Sequence, residues 1–135
     1  MIKQWLVLIL SIAATIALAA CGSAQGGSGN APAGPADGGG PVARMGNTTF
    51  DPPSAAIRAG QSLTLAADTF VPHVIANGTW QDGRAKPMRE PGAPAVSELN
   101  IPGNGSGTVG PFAQAGTYQL YCTIHPNMNL TVQVT

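Results

Sequence analysis

The chain has 135 residues with six basic and six acidic side chains, so its formal net charge is zero. Charged residues make up only 9% of the sequence and form no basic run, which argues against nucleic acid as a partner. The same low charge density argues against strong electrostatic steering toward any partner.

Residues 1–20 have the pattern of a secretory signal peptide. Lys3 supplies a positive charge, residues 5–17 are almost wholly apolar, and small residues lead to Cys21. The apolar segment is short for a retained membrane span. Leu18-Ala19-Ala20 directly before Cys21 resembles a bacterial lipobox, in which cleavage exposes the cysteine for lipid attachment. The alternatives are ordinary cleavage, which leaves Cys21 as a free thiol, and a disulfide to Cys122.

Residues 21–43 carry the lipidated cysteine and a tether rich in Gly, Ala, Pro and Ser. This composition cannot bury enough apolar surface to offset the entropy of ordering, so we expect a flexible linker with a reach of roughly 25 Å. We therefore expect an extracytoplasmic protein, on the periplasmic or cell-surface face, anchored to the cell membrane through Cys21. The remaining residues 44–135 form one small domain of roughly 90 residues.

Short alternating segments predict strands in this domain. Residues 61–65 alternate polar with apolar side chains, and so do residues 117–122 and 130–134. We interpret residues 80–96 as a long surface connection with room for one short strand. Turn-forming sequences separate the strands: Asp51-Pro52-Pro53, Asn77-Gly78, Asp82-Gly83, Pro91-Gly92, Pro102-Gly103-Asn104-Gly105 and Ala115-Gly116. The pattern predicts an all-β sandwich, and the resemblance described below implies that it is a Greek-key β-sandwich.

Three potential metal donors recur at three-residue intervals in the segment from Cys122 through His125 to Met128, and His73 is the only other histidine. Two imidazoles, one thiolate and a weak thioether are the ligand set of a blue-copper electron-transfer centre. Cysteine and methionine suit Cu(I), while histidine also suits Cu(II), so one site can hold either oxidation state. We predict one mononuclear copper bound by these four residues.

Each ligand has an alternative interpretation. His73 alone could be a packed or surface histidine, and Cys122 a buried inert thiol. Met128 could pack in the core while Asn127 or a carbonyl takes the axial position.

The ordered motifs resemble the small cupredoxins over about residues 47–135: Phe50-Asp51-Pro52, Ile57, Gly60, Val71-Pro72-His73, Gly116-Thr117-Tyr118 and the loop from Cys122 to Met128. The Cys-x-x-His-x-x-Met spacing of this loop is the short spacing found in the amicyanins, whereas plastocyanin and pseudoazurin have longer His-to-Met spacings. The resemblance implies that His73 lies just past a strand end, that Cys122 ends the penultimate strand, and that Met128 is the long axial ligand.

Two neighbouring residues bear on this resemblance. Most cupredoxins have a hydrogen-bonding residue after the first histidine ligand, and its side chain ties the two ligand loops together. Here that residue is Val74, so the side-chain donor is missing. Tyr121 precedes Cys122, as a surface tyrosine does in plastocyanin, and could lie on a second electron route. The alternative is an outward cross-strand aromatic without a redox role.

The resemblance implies a membrane-tethered carrier of single electrons, with His125 at the exposed edge as the transfer point. Its partners would be redox proteins, and we expect a monomer. The alternative is an extracytoplasmic protein for copper storage or delivery. We do not expect an enzyme, because a catalytic copper needs further histidines and the chain has only His73 and His125.

Overall fold

The computed structural model describes residues 40–135. The predicted signal peptide, Cys21 and nearly all of the tether lie outside the described residues. Ten strands account for the regular structure of the described part: β1 (Val42–Met45), β2 (Phe50–Asp51), β3 (Ser54–Ile57), β4 (Leu63–Ala67), β5 (His73–Gln81), β6 (Arg84–Pro87), β7 (Leu99–Ile101), β8 (Ser106–Val109), β9 (Gly116–Cys122) and β10 (Asn129–Val134). Residues 40–135 include no helix that could cross a membrane.

The strands form two mixed sheets that share one core. The first sheet has the order β2-β1-β4-β8, and the second has the order β3-β10-β9-β5-β6, with β7 also paired to β5. Leu63 and Leu65 from the first sheet and Leu120, Leu130 and Val132 from the second are all fully buried in the same cluster. The predicted all-β sandwich is confirmed.

Period-two alternation places the core residues. Successive side chains of a strand point to opposite faces, so a strand with one buried face alternates apolar with polar residues. Strands β4 and β10 show this alternation of buried and more exposed positions along their whole length. Strand β1 pairs in parallel with β4 and begins at Val42, two residues before the expected domain boundary. Its side chains at Ala43 and Met45 are buried, so β1 contributes to the core.

The region that we interpreted as a surface connection contains a β-hairpin. Strand β5 continues to Gln81, and β6 follows after the two-residue turn Asp82-Gly83. Both turn residues have positive φ, 51° and 69°, which is the geometry of a type I′ hairpin turn. The pairing of β5 with β9 ends at Asn77, and from Gly78 onward β5 pairs with β6.

Gly78 makes this change of partner possible. Its φ is +131°, and a Cβ atom there would overlap the carbonyl oxygen of Lys86 and lie 2.9 Å from the Cα of Pro87. Only glycine combines this backbone conformation with so close an approach of another strand.

We expect Gly78→Ala to lower the free energy of unfolding by about 3 kcal/mol, because it adds a backbone clash to conformational strain. Gly60→Ala is the matched control, since Gly60 has a φ of +86° but nothing within 4 Å of the added Cβ. It should cost only about 1 kcal/mol. Urea unfolding of both metal-free variants measures the difference, and equal losses would show that Gly78 is needed for its φ alone.

Candidate metal centre

The antiparallel pairing of β5 with β9 brings two predicted ligands to one edge of the second sheet. Cys122 is the last residue of β9, as expected, and it lies opposite Ile75. His73 is the first residue of β5, so it lies at the start of a strand and not just past the end of one, as the resemblance implied. The start of one antiparallel strand lies beside the end of its neighbour, so this position serves the site equally well.

Three predicted ligands converge there. Cys122 Sγ lies 3.8 Å from His73 Nδ1 and 3.4 Å from His125 Nδ1. The potential ligand atoms of the three residues all lie within 4.8 Å of one another. Donors at 2.0–2.3 Å from one ion are about 3.3–4.0 Å apart at tetrahedral to trigonal angles. The two sulfur–nitrogen distances therefore fit a single shared ion.

Burial divides the donors into two groups. His73, Cys122 and Met128 are at most 1% exposed, whereas His125 is only half-buried. The ring centroids of His73 and His125 lie 5.0 Å apart in an edge-on arrangement. One imidazole is thus the part of the donor group nearest to solvent.

The turn after His125 folds the ligand loop back on itself. Asn127 has a φ of +64° and an exposed side chain. Met128 N–H donates to the carbonyl of His125 at 3.3 Å, and Cys122 N–H donates to the carbonyl of Met128 at 3.0 Å. The side chain of Met128 is therefore buried, as an axial ligand requires, while Asn127 faces solvent. The axial role of Met128 itself stays a prediction.

The surroundings keep His73 ready to bind a metal. Burial lowers the pKa of His73 below its ordinary value of 6.5, because desolvation disfavours the imidazolium, and the nearby His125 lowers it further. The backbone of Gly46 acts in the opposite direction. A neutral imidazole is the form that ligates a metal, so in the metal-free protein the ligand is already in its binding form at neutral pH.

A main-chain hydrogen bond ties the two ligand segments together in spite of Val74. Thr123 N–H donates to the carbonyl of Val74 at 2.8 Å. One backbone hydrogen bond thus joins the residue that follows His73 to the residue that follows Cys122. This bond does not depend on the side chain at position 74.

Sequence reasoning missed Trp80 and did not foresee the burial of Tyr121. The indole Nε1–H of Trp80 donates to the carbonyl of Cys122 at 2.8 Å. Its ring packs edge-on against Tyr121, with centroids 6.1 Å apart and an interplanar angle of 83°. Tyr121 is only 3% exposed, so it is not a surface tyrosine. No local pattern pointed to Trp80, because its hydrogen bonds to Cys122 and Asn129 join residues more than 40 positions apart.

No family model and no curated protein matches the chain. Among solved structures, amicyanin from Paracoccus versutus is similar, with 22% identity over 76% of this chain and 86% of that chain and a TM-score of 0.55. A purple cupredoxin from Nitrosopumilus maritimus has 20% identity over 70% of this chain and 99% of that chain, with a TM-score of 0.54.

The chain has the cupredoxin fold. The resemblance seen in the sequence is thereby confirmed for the architecture. Because the identities lie near 20%, the chemistry of the site depends on the donors themselves. A thiolate and two imidazoles around one point, with a buried thioether on the same loop, fit the ligand set of a type 1 copper centre.

Proposed function

We propose that the protein carries single electrons by means of one copper ion held by His73, Cys122, His125 and Met128. The convergence of three donor atoms within 4.8 Å at one sheet edge is the observation that carries this proposal. Copper bound there would supply one-electron chemistry by alternating between Cu(I) and Cu(II). The protein residues fix the donors, exclude water and offer a route for the electron.

The division between buried and half-buried donors supports a carrier. The thiolate, one imidazole and the thioether are buried, so they are shielded from bulk water. His125 alone approaches the surface, and we assign it as the point at which electrons enter and leave. The partners are redox proteins that dock over this edge, and the carrier acts as a monomer.

The rigid positions of the donors support the same function. His73 and Cys122 belong to two paired strands, and the loop from Cys122 to Met128 is closed by its own backbone hydrogen bond. Little rearrangement on a change of oxidation state is what fast electron transfer needs. Copper storage or delivery would instead favour an open site from which a partner could take the ion.

Replacing the thiolate tests the copper assignment. Cys122→Ser should lose the intense visible charge-transfer band after Cu(II) addition, because a hydroxyl lacks the sulfur orbital that gives the band. Thr123→Ser is the matched control and should keep the colour, since Thr123 contributes a main-chain N–H to the site. A Cys122→Ser variant that stays blue, or a wild-type protein that binds Cu(II) without colour, would contradict the electron-carrier assignment.

The axial role of Met128 is tested by the reduction potential. The weaker the axial bond, the more the centre favours Cu(I). Met128→Leu removes the axial donor and should raise the potential, whereas Met128→Gln supplies a harder oxygen donor and should lower it. We expect each shift to be about 60 mV, which corresponds to a tenfold change in the relative affinity for the two oxidation states. Leu and Gln have volumes similar to that of Met, so the fold should survive. If neither variant moves the potential, Met128 has only a packing role.

We also propose that lipid on Cys21 anchors the protein to the extracytoplasmic face of the cell membrane. The sequence Leu18-Ala19-Ala20-Cys21 and the tether that follows it support this proposal. Cys21→Ala should release the protein from the membrane fraction or block its processing, as followed by fractionation. Cys122→Ser is the matched control, because it removes the other cysteine and should leave the protein in the membrane. Equal retention and processing of both variants would argue against lipidation.

A further inference from the structure

Trp80 contacts both flanks of the ligand loop formed by residues 122–128. Its indole N–H donates to the carbonyl of Cys122 at 2.8 Å. Its main-chain N–H donates to Asn129 Oδ1 at 2.7 Å, and Asn129 Nδ2 donates to its carbonyl at 3.0 Å. Cys122 opens the loop and Asn129 directly follows Met128. We propose that Trp80 is a positioning residue for the metal centre, which orients the Cys122 thiolate and fixes the span of the loop.

The peptide unit between Cys122 and Thr123 is the point at which Trp80 acts. Its carbonyl accepts from the indole of Trp80, and its N–H donates to the carbonyl of Val74 at 2.8 Å. Two residues of β5 therefore hold this peptide unit from both ends. The preceding peptide unit is also fixed, because Cys122 N–H donates to Met128 at 3.0 Å.

Fixing both peptide units fixes the direction of the thiolate. The orientation of the two units determines φ and ψ of Cys122, and these angles set where Cβ points and restrict the rotamers that Sγ can adopt. Cys122 is fully buried, so its carbonyl finds no ready substitute in water if the indole donor is lost. An unpaired buried acceptor costs free energy, and the peptide unit can then rotate and carry the sulfur with it.

The paired bonds with Asn129 hold the other end of the loop. They join the main chain of Trp80 to a side chain of β10, so they persist when the Trp80 side chain is changed. The side-chain bond to Cys122 and the main-chain bonds to Asn129 can thus be tested separately. The ring of Tyr121 packs edge-on against the indole and so helps to hold it in place.

The inference deepens the proposed copper function and rests on it, but one measurement needs no copper. Trp5 and Trp80 are the only tryptophans in the chain. In a full-length Trp5→Phe protein, a single indole resonance therefore reports on Trp80. In the metal-free protein, we expect this N–H to exchange with solvent at least tenfold more slowly than an unprotected indole. Exchange at the unprotected rate would overturn the hydrogen bond and with it the inference, whatever the protein does with copper.

The copper-loaded protein tests positioning against packing. Trp80→Phe keeps an aromatic ring but removes the donor. Loss of one hydrogen bond of average strength, about a fivefold change in equilibrium, should raise the rate of copper loss to a chelator by about the same factor. The visible band and the reduction potential should shift together, because the direction of the thiolate changes. Asn129→Ala should accelerate copper loss as well, with a smaller change in the band, since it leaves the indole bond in place.

An isosteric replacement separates the donor from the shape of the ring. In the Trp5→Phe background, incorporation of benzothienylalanine replaces only Trp80 and exchanges the N–H group for sulfur. We expect it to shift the band and the potential as Trp80→Phe does. Because it keeps the shape of the ring, this protein gives the answer even where Trp80→Phe folds poorly. Wild-type band, potential and copper-loss rate in the isosteric protein would assign Trp80 to packing alone. A wild-type protein with a protected indole that binds no copper would instead contradict the proposed function and leave the contact to Cys122 established.

Discussion

The register between β5 and β9 is the constraint on which the site depends. Ile75 lies opposite Cys122, and both are fully buried in the core. His73 is two residues from Ile75 and so points to the same face of the sheet as Ile75 and the thiol. A slip of one residue would turn the cysteine to the outer face and separate it from the imidazole. The core packing that selects this register therefore also assembles the two buried donors.

The loop that carries the remaining donors inherits its geometry from the neighbouring pair of strands. Tyr121 of β9 lies opposite Asn129 of β10, and the next pair, Leu120 and Leu130, is fully buried on both sides. The seven residues between Tyr121 and Asn129 have to close between fixed ends. Their backbone bond from Cys122 to Met128 returns Met128 to the interior and leaves His125 at the rim. The two imidazoles thus differ in exposure because His73 belongs to a strand of the sheet, whereas His125 belongs to the loop at its edge.

Sequence patterns predicted the strands and the ligand loop, which depend on residues close together in the chain. Alternation identified the regions of β4, β9 and β10. Donor spacing identified Cys122 and His125, and His73 was added as the only other histidine; these three residues form the observed cluster. Residues 80–96 were expected to contain at most one short strand, and β6 was not located or joined to β5 in a hairpin, although the Asp82-Gly83 turn was recognised. All four residues of β6 are exposed, so the strand has no buried face and shows no alternation. The burial of Tyr121 escaped prediction for a related reason, because its cover, Trp80, is distant in sequence.

Val74 and Trp80 show two ways of holding the same peptide unit. The bond from Thr123 to Val74 joins main chain to main chain, so any side chain at position 74 preserves it. The bond from Trp80 to Cys122 uses an indole nitrogen, so it depends on the side chain at position 80. The first bond follows from the fold, whereas the second follows from one residue on a hairpin. Because hydrogen bonds around the ligating cysteine tune the potential of a copper–thiolate centre, a sequence change in this hairpin can adjust the site without changing a ligand.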